Sequence, residues 1–207
     1  SSARNLPSPE TRPYAGHSNR IVNEVLHDQM QSNVLPLTQS LFNENMAENE
    51  REAIRRVIDN IPADDRESVI TNAMSLITDP MNREDREILL RMVSKIPKEE
   101  RESVITNTMS LITDPMNRMD RKKILKEVKR IPAEDRTSFI TEAKTLMTDS
   151  MEGYDRVCIL YSLRRIPAED RTSIITSVKA LTTDATSGFD KGRIIRALGR
   201  IPTDYRE

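Results

Sequence analysis

Four arginines stand 35 residues apart: Arg66, Arg101, Arg136 and Arg171. A guanidinium carries five donors in a fixed fork and matches a carboxylate or a phosphate. Such a row either staples neighbouring elements through ion pairs or forms a ladder that grips an acidic partner. Each arginine falls in the first turn of an expected helix, where the dipole disfavours a cation by about a few tenths of a kcal/mol. A repeated acid must then hold it. The candidates are Asp79, Asp114, Asp149 and Asp184, or Asp85, Asp120, Asp155 and Asp190, and the staple reading is preferred. Ser-x-x-Thr also recurs, as Ser68/Thr71, Ser103/Thr106, Ser138/Thr141 and Ser173/Thr176. These are either phosphorylation targets or small polar residues that let helices approach or bond back to a carbonyl; the second is preferred. The aspartates of DSMEGYD (149–155) and DATSGFD (184–190) lack the alternating ligands and closing Glu of a calcium loop. They read as caps and ion-pair partners. Cys158 has no base nearby in sequence, because His17 and His27 are both N-terminal. No Ser/His/Asp set and no phosphate-cradling glycine loop is present. The chain reads as non-enzymatic, with no cofactor and no metal site.

Basic residues on the second half of each repeat are more informative. They include Lys122, Lys123, Lys126 and Lys129, then Arg164, then Arg193 and Arg196. Stacked, they would form a stripe for an acidic protein surface, RNA or anionic lipid. Positions that differ between repeats add Met74, Met109, Lys144 and Lys179 on the first helices. Together these eleven residues are the candidate partner-binding set. Among aromatic residues only Tyr161 is assigned to a second helix, which weakens a single-strand nucleic-acid reading.

Composition narrows the classes. The chain has 207 residues, 32 Lys+Arg against 33 Asp+Glu, 36% hydrophobic residues, 3% aromatic residues and no tryptophan. So few large rings favour a layered helical structure over one compact globule. The near-neutral balance argues against a chain built mainly for nucleic acid. One cysteine excludes an internal disulfide. No apolar run reaches the roughly 18–20 residues of a membrane span. SSARNLPSPETRPYAGHSNR has no apolar h-region. The expected location is the cytoplasm, or export without a Sec signal, including into a host cell.

The elements that position these residues follow from a repeat. Ile-Pro occurs at 61, 96, 131, 166 and 201, every 35 residues without insertion. Four units span 61–95, 96–130, 131–165 and 166–200, and a fifth begins at 201–207. The chain therefore reads either as a fragment of a longer array or as one whose last helix is a stub cap. Units one and two differ at 12 of 35 positions, a recent duplication. Each unit reads as two helices. Val69, Ile70, Ala73, Leu76 and Ile77 make one apolar stripe; Leu89, Val93 and Ile96 make the next. Asp79 is the expected cap of the second helix, with Pro80 at its first position, and the helix is expected over about 85–95. Residues 21–60 read as degenerate capping helices, with segments 21–31, 32–46 (interrupted by Pro36) and 48–60. Residues 1–20 read as a flexible arm. Neither short helix buries its stripe alone, and stacked hairpins do. The fold expected is all-α, a right-handed α-solenoid or superhelix of two-helix repeats with period 35.

In period and hairpin shape, residues 61–200 resemble the tetratricopeptide and pentatricopeptide class of α-solenoids. The tryptophan, Leu-Gly and tyrosine of the first pattern, and the first-helix aromatic and Asn of the second, are missing. TAL-like DNA-reading hairpins are similarly short, but their glycine-containing loop has no match in TDPMNRED. Near-identical units after a polar, Ser/Pro-bearing N-terminus resemble repeat proteins of intracellular bacteria that act on host cells. The resemblance implies a scaffold for protein–protein interaction. The alternatives are a nucleic-acid-binding repeat protein using the basic stripe, and a structural spacer.

Overall fold

The computed structural model describes residue 21, residues 34–113 and residues 116–206. The expected arm 1–20, nearly all of the expected helix 21–31, both histidines and Asp114 lie outside the described residues. Among those described, the fold is all-helical. It comprises α1 (34–40), α2 (Glu48–Asp59), α3 (Arg66–Met74), α4 (Arg83–Ser94), α5 (Lys98–Met109), α6 (Arg118–Arg130), α7 (Ala133–Lys144), α8 (Gly153–Arg164), α9 (Ala168–Leu181) and α10 (Gly188–Gly199). Short 3-10 turns cover Ala63–Asp65 and Thr203–Tyr205. Pro36 lies inside the helical residues 34–40 rather than interrupting them.

The Ile-Pro corner works the same way each time. The isoleucine N–H bonds the carbonyl three residues back, as in Ile96 to Val93 at 3.1 Å and Ile131 to Val128 at 3.2 Å. That bond closes the second helix before the proline excludes a helical predecessor. The prolines are N-caps rather than first-turn residues: Pro97, Pro132 and Pro167 all have φ near −52° and ψ near 140°. The second helices start two residues earlier than expected, and the cap is not Asp79. Asn82, Asn117 and Ser187 accept from the backbone N–H of Asp85, Asp120 and Asp190.

Each first helix packs on the second helix that follows it: α3 on α4, α5 on α6, α7 on α8, and α9 on α10. The second helices also pack side by side, in the order α2, α4, α6, α8, α10. One contiguous apolar core runs through the whole set, from Leu41 to Ile195. In the C-terminal half the second helices come closer to each other than the first helices do. Glycine permits this. A Cβ on Gly188 would stand 2.3 Å from the Asp155 carbonyl oxygen, and one on Gly192 would stand 2.9 Å from Ser162 Oγ. From sequence, Gly192 and Gly199 each cost about 1 kcal/mol in a helix interior. The cost at Gly192 is offset by the close α8–α10 packing that it allows. At Gly199 a Cβ would meet only the Cδ1 of Ile166, the end of a flexible side chain. Gly188→Ala is therefore expected to destabilise the fold by about 1–3 kcal/mol. Gly199→Ala is expected to be neutral or to add up to about 1 kcal/mol through helix propensity. Urea melts of both variants check this.

Candidate interaction face

Two rows of repeated cations, buried or half-buried, bond backbone carbonyls and are distinct from the surface set. The first is the repeated arginine. Arg101, 1% exposed, donates from Nη1 to Asp65 Oδ1 at 2.6 Å and from Nη2 to Asp65 Oδ2 at 3.0 Å. It also donates from Nε to the Val93 carbonyl and from Nη2 to that of Ile96. One side chain thus closes the preceding second helix, caps the pre-proline carbonyl and ties its own first helix to the one before. Arg171 meets Asp135 at 2.7 Å, and Arg206 lies 3.5 Å from Asp170. Arg66 and Arg136 take the same two carbonyls. Among the described residues Arg136 pairs with no carboxylate; Glu100 occupies the acid's place, beside a cavity of about 110 Å³. The row is thus a staple, but its acids are Asp65, Asp135 and Asp170 and not the two sets expected.

The Arg101 hydrogen bond holds the Asp65 carboxyl below its ordinary value against some opposing burial, and the charges of Arg101 and Lys98 add to it. A depressed folded pKa stabilises the fold above the unfolded value. This contribution is fully present above about pH 4 and is lost as pH falls through the folded pKa. Acid melts of Asp65→Asn should show a shallower loss of stability below pH 4 than the parent chain.

The second row is Arg86, Arg121, Arg156 and Lys191, all buried. Arg86 donates to the carbonyls of Met81, Thr78 and Asp79, and across to the Leu41 carbonyl at 2.9 Å. Arg156 repeats the local part with Met151 and Thr148, Arg121 bonds Met116, and Lys191 reaches the Leu146 carbonyl at 3.0 Å. Burial holds Arg86 and Arg156 below their ordinary values, while Asp79 and Asp149 pull them back up. Those two aspartates therefore face this row and not the first.

The candidate set then divides. Lys122 is ion-paired with Asp85 of the preceding second helix, beside Arg118 at 3.3 Å. Arg164 bonds Glu127 at 2.6 Å. Lys129 donates to the Met92 carbonyl at 3.2 Å. Its half-buried amine is pushed below its ordinary value by burial and then by Lys95. These three tie neighbouring second helices together. Met74 and Met109 are half-buried and pack against the core. Lys144 and Lys179 are exposed, but on the first helices. On the first helices Ser68 accepts from Arg101, and Thr141 and Thr176 bond back to Thr137 and Thr172; a shallow cleft between α5 and α7 is lined by Glu99, Glu102, Ser103 and Thr106.

Lys123, Lys126 and Arg193 remain exposed on the outward side of α6 and α10, with Arg196 half-exposed and bonded only weakly to the Gly192 carbonyl at 3.4 Å. The helical rule places i, i+4, i+7 and i+11 on one stripe. On α6 that stripe is Met119, Lys123, Lys126 and Arg130. On α8 it is Tyr154, Cys158, Tyr161 and Arg165. On α10 it is Phe189, Arg193, Arg196 and Arg200. No acid occurs in these three stripes. Met119 and Tyr154 are each 52% exposed and Phe189 is 39% exposed. Tyr154 stacks on Phe189 with centroids 6.3 Å apart, Arg193 lies over Phe189 at 5.8 Å, and Arg165 lies over Tyr161 at 4.6 Å. The sequence places only Tyr161 on a second helix, because a start at the position of Asp85 leaves Tyr154 and Phe189 one residue outside; α8 and α10 begin earlier, at Gly153 and Gly188. The Cys158 thiol is pushed up by burial, although its hydrogen bond with Tyr154 works the other way. A protonated thiol is a weak nucleophile.

Comparison with protein-family models, with curated proteins and with solved structures finds no match to this chain.

Proposed function

We propose that this chain is a non-enzymatic helical-repeat scaffold, a right-handed α-solenoid of 35-residue two-helix units, that binds an acidic protein segment along the outward face of α6, α8 and α10. The observation that carries this is the grid of exposed cations, in stripes whose own positions hold no acid, beside the apolar row Met119, Tyr154 and Phe189; Glu127 at Arg130 and Asp155 at the Phe189 N–H are the acids nearest to it. Exposed apolar residues rimmed by charge are what interaction sites present. The close approach of α6, α8 and α10 supports a curvature with the second helices on the inner side, which would make this face a groove. The buried arginine staples hold the grid rigid, so a partner meets preorganised contacts. Of the differences between units one and two, eight of twelve fall in the second-helix half, at positions 84–95 against 119–130. That pattern fits a constant frame carrying a variable face.

The Tyr154–Phe189 stack under Arg193 favours one second reading, a single-stranded nucleic acid lying on the same grid. Capture from lysate on the immobilised chain, with and without nuclease, separates the two. Discrete proteins that survive nuclease, bind weakly to a Lys123/Lys126/Arg193/Arg196→Glu chain and release at raised salt support the scaffold. Recovery that vanishes with nuclease, with affinity falling as a steep power of salt concentration, supports the nucleic-acid reading instead.

A further inference from the structure

The junction between one unit and the next uses four apolar positions. Leu41, Leu76, Leu111 and Leu146 fill the first and are at most 2% exposed. Leu89, Ile124 and Ile159 fill the second and Val93, Val128 and Leu163 the third, all fully buried. Ile61, Ile96, Ile131 and Ile166 fill the fourth and are buried. In the last unit the same positions hold Leu181, Ile194, Leu198 and Ile201. Leu181 is 66% and Ile201 36% exposed, and Ile194 and Leu198 are half-buried. The side chains are as apolar as in the interior junctions, so this face is not adapted to water.

The polar half of the junction is already assembled. Arg206 Nε donates to the Ile201 carbonyl at 2.7 Å and stands 3.5 Å from Asp170. This repeats what Arg101 does with Ile96 and Asp65. Two interior junctions also carry a buried cation that reaches the leucine carbonyl from 45 residues further on: Arg86 to Leu41 and Lys191 to Leu146. A docked unit would bring the equivalent donor to the Leu181 carbonyl from its second helix.

We infer that the face formed by Leu181, Ile194, Leu198 and Ile201 is a docking site for a two-helix unit of this same 35-residue repeat. The occupant is specified by continuity with the interior junctions, where such a unit buries each equivalent residue. It covers the four apolar positions and supplies a cation to the Leu181 carbonyl from its second helix. This holds whatever binds the cationic grid.

The test is a double-mutant comparison. One chain is the 207-residue protein. The other repeats residues 172–206 once after Arg206, continuing the register. Leu181→Asp is placed in both, and urea unfolding is followed by circular dichroism, with sedimentation of the parent across concentration. In the 207-residue chain Leu181→Asp should reduce the folding equilibrium constant by less than about 5-fold, the cost of an acid at the C-terminal end of α9, because the side chain is largely in water. In the extended chain it should reduce the folding equilibrium constant by roughly 100-fold, and the extended parent should unfold in one transition. Equal, small effects in both chains would overturn the inference. So would self-association of the 207-residue protein that Leu181→Asp abolishes, because the face would then belong to a second copy.

Discussion

Arg101→Ala is expected to cost about 3–5 kcal/mol of folding stability, the range for removing one member of a buried ion pair. The loss is large because one side chain serves several groups. It holds both oxygens of Asp65, bonds Ser68 Oγ at 3.1 Å, and caps the carbonyls of Val93 and Ile96. Alanine takes these donors from Asp65 and from the Ile96 carbonyl and leaves the Val93 carbonyl with only the Ile96 N–H, in a closed junction between α3, α4 and α5. Arg101→Lys restores the charge but not the fork, and should recover only part of the loss. Arg136→Ala is expected to cost less, because Arg136 takes the same two carbonyls without a carboxylate. Guanidinium melts of the three variants check the order. Unchanged stability in Arg101→Ala would remove the staple and reopen the arginine row as a binding ladder.

Reversing four outward cations, Lys123, Lys126, Arg193 and Arg196, to glutamate is expected to weaken partner binding by roughly 100-fold and to change stability by no more than about 0.5 kcal/mol per site. Lys123, Lys126 and Arg193 are exposed, Arg196 is half-exposed, and none of the four ion-pairs with a neighbouring helix among the described residues. The second set, Lys122, Lys129 and Arg164, is expected to behave in the opposite way. Arg164→Glu sets a second carboxylate against the buried Glu127 and should cost about 2 kcal/mol or more of stability. The two sets share α6, extend to α10 and α8 respectively, and are similar in charge. Binding and melting measured on both therefore separate a docking role from a packing role, which a single alanine scan would mix.

Much of the frame is legible in the chain. The Ile-Pro corners set the helix ends, and the apolar spacing sets the buried stripes. The all-helical class follows from these two signals. The staple was legible as a role but not as a pairing. Each unit offers several acids at the same 35-residue spacing, and periodicity cannot choose among them. Asp65 wins because it sits one residue before the corresponding arginine of its own unit, which places it across the junction from Arg101. The row Arg86, Arg121, Arg156 and Lys191 is visible as a repeated base after Asp, but nothing in its spacing marks it as buried. Its burial depends on carbonyls left open where the first helix ends, and those are set by the turn at 75–81. Tyr154 and Phe189 were misplaced because the second helix was expected to begin at the position of Asp85, one residue after theirs. The informative signal was three residues before Asp85, Asp120 and Asp190, where Asn82, Asn117 and Ser187 mark the true helix starts. Lys122, Lys129 and Arg164 looked free because their partners lie on the previous unit.

The most direct measurement is hydrogen–deuterium exchange on the intact chain with and without its captured protein partner. Slowed exchange should concentrate on α6, α8 and α10, with α5, α7 and α9 unchanged, and the Lys123/Lys126/Arg193/Arg196→Glu chain should show no such protection. Protection confined to α5, α7 and α9, and retained in the reversed-charge chain, would place binding on the first-helix layer and contradict the assignment of the second-helix grid as the docking face.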